Sequence, residues 1–196
     1  MSEMSTTSQK RVLDAALRVF ARYGYRRTSM ADVAEEAGMS RPALYQWFAN
    51  KGALFQALAK GIKDDALANA EAAWTDGMSI EEGLFAAILA KDLPLLRLLH
   101  ASPHGAELMA VDTELTAAMA KELQDGFVAI LAGKISGLAV NGSINLAAFG
   151  TAVDFGTIVC ELAGGLKHEA PSEPRYVESV RRFCQIVAAA LRPASP

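Results

Sequence analysis

Apolar positions along this chain return at three- and four-residue steps, and almost nowhere do they alternate. From Ser8 to Tyr23, Leu13, Ala16, Leu17 and Phe20 fall on one side of an amphipathic helix that Gly24 ends. A second, short helix starts at "TSMAD", where Ser29 caps and Asp32 answers three residues later. Met30, Val33, Ala34 and Ala37 form its inner face, and Gly38 stops it. Ser40 caps a third helix from Arg41 to about Phe48, with Pro42 in the first turn, where no amide partner is lost. Asn50 caps a fourth, much longer helix through "KGALFQALAKGIKDDALANAEAAW", which ends near Asp76 and Gly77.

Beyond this point the pattern stays helical. "SIEEGLFAAILAKD" reads as a helix capped by Ser79 with Glu82 completing the box; after Asp92 and Pro94 a short apolar segment, "LLRLLHA", runs to Pro103. A long helix is expected from Glu107 to about Ile135. Asn141-Gly142 is read as a helix-to-helix turn in preference to a hairpin, because helical character returns from Leu146. Two further helices follow, in "NLAAFGTAVDFGTIVCELAGGL" and "YVESVRRFCQIVAAAL". The fold expected is all-α.

Composition and charge refine this. The 196 residues are 52% hydrophobic and 21% charged, enough for a sizeable core but short for two large domains. Residues 1–60 carry nine Lys/Arg against five Asp/Glu, net +4, while the remainder is net -7. A basic head on an acidic body suggests that the head alone meets a polyanion. No secretory signal is expected from the polar Met1–Thr7 stretch, and "GTAVDFGTIVCELAGGL" is interrupted by Asp154 and Glu161, so no membrane partner is expected. The two cysteines, Cys160 and Cys184, lie far apart in apolar surroundings, which fits small core residues and a cytoplasmic location.

Helix, glycine-containing turn and second short helix is the order of a helix-turn-helix. Leu44 and Phe48 are four apart and face inward with Met39, leaving Arg41, Pro42, Ala43, Tyr45, Gln46 and Trp47 on the remaining surface. That set suits a major groove. Arg41 reaches guanine edges or phosphate, Gln46 pairs with adenine, and Pro42 and Ala43 lie against a thymine methyl. Tyr45 and Trp47 offer one hydroxyl and one indole N–H to phosphates, and Lys51 adds a charge at the same edge.

The stretch "ALRVFARYGYRRTSMADVAEEAGMSRPALYQWFANKGALF" resembles the N-terminal domain of the TetR family of transcriptional repressors. The resemblance is carried by Gly24-Tyr25, Thr28-Ser29, Val33-Ala34, Ala37-Gly38-Met39-Ser40, Leu44-Tyr45, Phe48 and Lys51. It implies that Ser29, Arg41, Pro42, Tyr45, Trp47 and Lys51 sit where family members touch DNA. Residues 1–52 are then a helix-turn-helix DNA-binding domain, joined by a long helix to a helical effector-binding and dimerisation domain over 53–196. The resemblance further implies a homodimer on a palindromic operator, built from the final helix pair, and a small hydrophobic effector whose entry tilts the fourth helix. Interface candidates are Phe149, Val153, Cys160, Tyr176, Val180, Phe183 and Val187. Effector-lining candidates, chosen by residue type on the middle helices, are Trp74, Phe85, Leu89, Leu96, His100, Met109 and Phe127. A different class of reading, an architectural DNA binder with no effector, predicts binding carried by phosphate charge with little sequence preference. His100, His104 and Glu107 have a spacing compatible with a metal, but Pro103 interrupts it, so no metal site and no cofactor are expected. No phosphate-cradling loop, nucleophile elbow or paired catalytic carboxylates occur, and no enzyme is expected.

Overall fold

The computed structural model describes residues 3–109, 113–140, 142–169 and 172–193, and the side chains of these except 3–7, 106, 109, 113–116, 168 and 169. Among the described residues the regular elements are all helices: α1 Glu3–Tyr23, α2 Met30–Glu36, α3 Arg41–Tyr45, α4 Lys51–Ala73, α5 Ile80–Ala101, α6 Gly105–Met109, α7 Thr113–Val140, α8 Ala152–Glu169 and α9 Glu173–Ala190. The caps read from the sequence are in place. Ser29 and Asp32 form a reciprocal box, Ser40 Oγ accepts from the Ala43 N–H, and Asn50 Oδ1 accepts from the Ala53 N–H at 2.8 Å. Ser79 and Glu82 form a second box, and Gly38 stops α2 with φ +66°.

Three boundaries differ from expectation. The third helix ends at Tyr45, and Gln46 and Trp47 continue as a turn. The chain does not break after Pro94: α5 runs through it to Ala101. An interior proline ordinarily costs a helix about 3 kcal/mol. Here the helix is anchored on both sides, by buried Lys91 and Asp92 before the proline and by Ser102 bonding to the Ala21 carbonyl just after the helix end. The expected helix from Glu107 is helical as far as Met109 (α6) and again from Thr113 (α7) among the described residues, and α7 continues to Val140, beyond the expected Ile135.

The chain divides into two compact units, Met1–Asp64 with Leu95–Ala120, and Asp65–Pro94 with Lys121–Pro196. The first is built around Val12, Ala16, Phe20, Val33, Leu44, Phe48, Leu54 and Phe55, with Tyr25 packed edge-on against Phe55 and tilted against Phe20. Leu108, from far downstream, completes this core.

The second unit buries Trp74, Leu84, Ile88, Phe127, Leu131, Ile135, Phe155, Val159, Tyr176, Val180, Cys184 and Val187. Gly83 is required beside Trp74, because a Cβ there would overlap the indole ring. Ala117–Val140 is long and apolar enough to cross a membrane by composition. On it Phe127, Leu131 and Ile135 are buried inside the unit at four-residue steps. Burial pushes the Cys184 thiol up to about 12, which fits the inert core role expected of it.

Candidate nucleic-acid interface

The short α2 is held from behind by cations of α1. Arg11 donates to the Ala37 carbonyl at 3.3 Å, and Arg18 pairs with Glu36 at 2.6 Å. On α3, Leu44 points into the core, and Phe48 in the turn that follows does the same. This leaves Arg41, Pro42, Tyr45 and Gln46 exposed along one side. Among the described residues Arg41 makes no ion pair or hydrogen bond, so its guanidinium is available to a ligand. Ala43 is half-buried and its N–H is held by Ser40 Oγ. Trp47 does not stand on this surface as expected. It is half-buried and packs on the head core, because the backbone leaves the helix after Tyr45.

Ser29 and Lys51 have internal work. The Ser29 hydroxyl donates to Asp32 Oδ2 at 2.8 Å and accepts from the Asp32 N–H at 3.3 Å, which leaves it no proton for a phosphate. These bonds hold the Asp32 carboxyl below its ordinary range. The Lys51 ammonium donates to the carbonyls of Tyr25 and Thr28, each at 2.8 Å, and of Arg26 at 3.3 Å, and stands 4.4 Å from the Tyr25 ring centroid. Its three protons are committed, so none is left to bond a phosphate. Part of the positive charge of the head is therefore structural. Arg26 and Arg27, beside the start of α2, are exposed cations that helical patterning did not single out. A polar cleft of about 710 Å³ lies beside them, lined in part by Arg22, Tyr23, Arg27, Glu35 and His104.

Residues 12–58 match the family model described as bacterial regulatory proteins, tetR family. The repressor ComR of Escherichia coli is 39% identical over 90 residues, 42% of this chain and 43% of that protein. The regulator TtgR of Pseudomonas putida is 40% identical over 62 residues, 32% of this chain and 30% of its own.

Residues 12–58 form a TetR-type DNA-binding head. The chain's match to these curated relatives spans less than half the length of each, and it contains the DNA-binding head. Across nearly the whole length, the TetR fold is shared with a transcriptional regulator from Cytophaga hutchinsonii, at TM-score 0.70 and 21% identity, covering 91% of this chain and 93% of that one. It is also shared with SmeT in complex with triclosan, at TM-score 0.68 and 19% identity, covering 96% and 93%. SmeT is the repressor of a multidrug efflux pump of Stenotrophomonas maltophilia.

The other predicted positions are distributed as follows. Trp74 and Phe127 are core residues, Phe85 and Leu89 are half-buried, and all four belong to the second unit. Arg181 covers the Phe85 ring at 4.2 Å. Leu96, half-buried, and His100, exposed, belong to the first unit, while the side chain of Met109 lies outside the described ones. Of the interface candidates, Tyr176, Val180 and Val187 are buried within their own unit. Their stripe is an intramolecular core face, contrary to expectation. Phe149, Cys160 and Phe183 are half-buried and Val153 is exposed. The large apolar side chains left uncovered on the last two helices are Val153, Ile158, Leu162 and Ile186.

Proposed function

We propose that this chain is a cytoplasmic transcriptional repressor that reads a palindromic operator as a homodimer and is released by a small hydrophobic ligand. The observation that carries the reading is the open row of Arg41, Pro42, Tyr45 and Gln46 on a helix-turn-helix whose other faces are fixed. A groove-reading helix needs free side chains on a rigid support. Arg41→Ala is expected to cost about 1–3 kcal/mol of operator binding and to relax preference at one base pair. The assay titrates the protein against the DNA flanking its own gene and against a scrambled duplex, at several salt concentrations. Equal affinity for both duplexes would overturn the reading in favour of an architectural binder.

Two heads about 34 Å apart read the half-sites of a palindrome, which requires a symmetric interface. We place that interface on the exposed sides of α8 and α9, with Leu162 and Ile186, the latter 69% exposed, as its anchors. Ile186→Asp is expected to shift the 20.8 kDa chain from dimer to monomer in sedimentation while its helical circular dichroism persists. A dimer that survives this change removes α9 from the interface. Release by a ligand is supported by the fold shared with SmeT, which binds triclosan. Of the predicted lining residues, Phe85 and Leu89 are half-buried and lie in one unit. The ligand acts only so far as it prefers the conformation that does not bind DNA.

A further inference from the structure

Residues 102–108 are remote in sequence from the DNA-reading head, yet three of their side chains reach it: one at the end of α1, one at the turn between α1 and α2, and one in the core. Ser102 Oγ donates at 2.8 Å to the Ala21 carbonyl, in the last turn of α1, where carbonyls lack helical partners. Leu108 is buried in the head core. Glu107 Oε1 accepts the backbone N–H of Arg26 at 2.9 Å, and Glu107 Oε2 lies 3.4 Å from His104 Nδ1.

Arg26 is gripped from its other side as well. Its carbonyl takes the Lys51 ammonium, which also holds the carbonyls of Tyr25 and Thr28. One residue of the turn therefore has a carboxylate on its N–H and an ammonium on its carbonyl. Hydrogen bonds to charged groups are roughly twice as strong as neutral ones. Gly24 makes the approach possible: a Cβ there would stand 2.5 Å from Glu107 Oε2, and its φ of +82° favours glycine independently. The clamped turn runs directly into Thr28, whose hydroxyl bonds to the Gly24 carbonyl, and Ser29, which caps α2.

We propose that Glu107 is a positioning residue for DNA recognition. It fixes the Arg26 backbone against Lys51, and so sets where α2 starts and how α3 is presented. The inference rests on the operator-reading function above.

The test uses the full chain and three substitutions. Glu107→Met keeps the side-chain length and removes both acceptors. Glu107→Asp keeps the charge but is one methylene shorter, and Glu107→Gln keeps a carbonyl acceptor. Each is measured for amide exchange at Arg26, and for affinity toward a duplex selected by the wild-type protein from a random library and toward a scrambled duplex over a salt series. In the Met and Asp variants, exchange at Arg26 is expected to speed up and selected-duplex affinity to fall, each about tenfold, the worth of one charge-assisted hydrogen bond. Scrambled-duplex affinity and the salt slope should stay unchanged, because no phosphate-facing cation is removed. Glu107→Gln, which keeps the bond as a weaker neutral one, should fall between wild type and the Met variant in both readouts. Unchanged exchange, unchanged selected-duplex affinity or an equal loss on both duplexes overturns the proposal. Should the Met variant fail to fold, the Asp variant carries the same expectation. If the wild-type protein selects no duplex, the regulatory reading itself fails, while exchange at Arg26 still judges the clamp.

Discussion

Alanine in place of Asp92 is expected to remove about 3–5 kcal/mol of unfolding free energy, the usual result of taking one partner from a buried ion pair. The Asp92 carboxylate, whose residue is 3% exposed, receives Lys91 Nζ at 2.8 Å, Lys167 Nζ at 2.9 Å and the Tyr176 hydroxyl at 2.6 Å. It therefore ties α5 to α8 and α9. Without it the cation–π contact that the buried Lys91 ammonium keeps is with the Phe127 ring, at 4.8 Å. A cation–π contact returns about 0.5–2 kcal/mol and does not replace a carboxylate. The difference is read from guanidinium midpoints, and a loss under about 1 kcal/mol would show that water reaches and solvates Lys91.

Acid checks the same cluster. Burial alone would raise the Asp92 carboxyl pKa, but Lys91, Lys167 and the hydrogen bonds from Lys91 and Tyr176 outweigh it and hold the value below the ordinary 3.8. A folded-state pKa below the unfolded one means that the stabilisation is complete above the ordinary value and disappears as pH falls through the folded value. The gap in melting temperature between wild type and Asp92→Asn should therefore be constant from neutral pH to about 5 and shrink below about 3.8. A gap that persists in stronger acid would assign the loss to packing.

The sequence spoke clearly where structure is made by neighbours along the chain. Ser29 with Asp32, Ser40, Asn50 and Ser79 with Glu82 all do what their spacing predicts, because a cap is a contact between residues three apart. The inward pair Leu44 and Phe48 was legible for the same reason. Periodicity reports that a face is buried, but it does not name what buries it. The Tyr176, Val180 and Val187 stripe reads as an interface with a symmetry mate and is covered by its own unit, while Ile186, off that stripe, is bare. Net charge was equally mute about direction. Lys51 counted toward a polyanion surface, and its ammonium is folded back onto three carbonyls.

The least legible residue of the head is Leu108, and it carries the second large prediction. A domain ending at residue 52 leaves out Leu54, Phe55 and Leu58 as well as Leu108, all of which lie in the same core as Phe20 and Leu44. Nothing local links residue 108 to residue 20, and only tertiary packing brings them together. Leu108, 8% exposed, should behave as a core leucine: Leu108→Ala is expected to cost about 2–5 kcal/mol, from lost burial plus the cavity left behind. The damage should be local. Amides of α2 and α3 are expected to exchange faster than in wild type, and those of α8 and α9, which belong to the other unit, should hold their rates. Operator affinity should fall with the stability of the head even though Leu108 offers DNA nothing to bind. Uniform acceleration across all helices would mean that the two units unfold as one, and Leu108 would then report on the whole chain instead of the head.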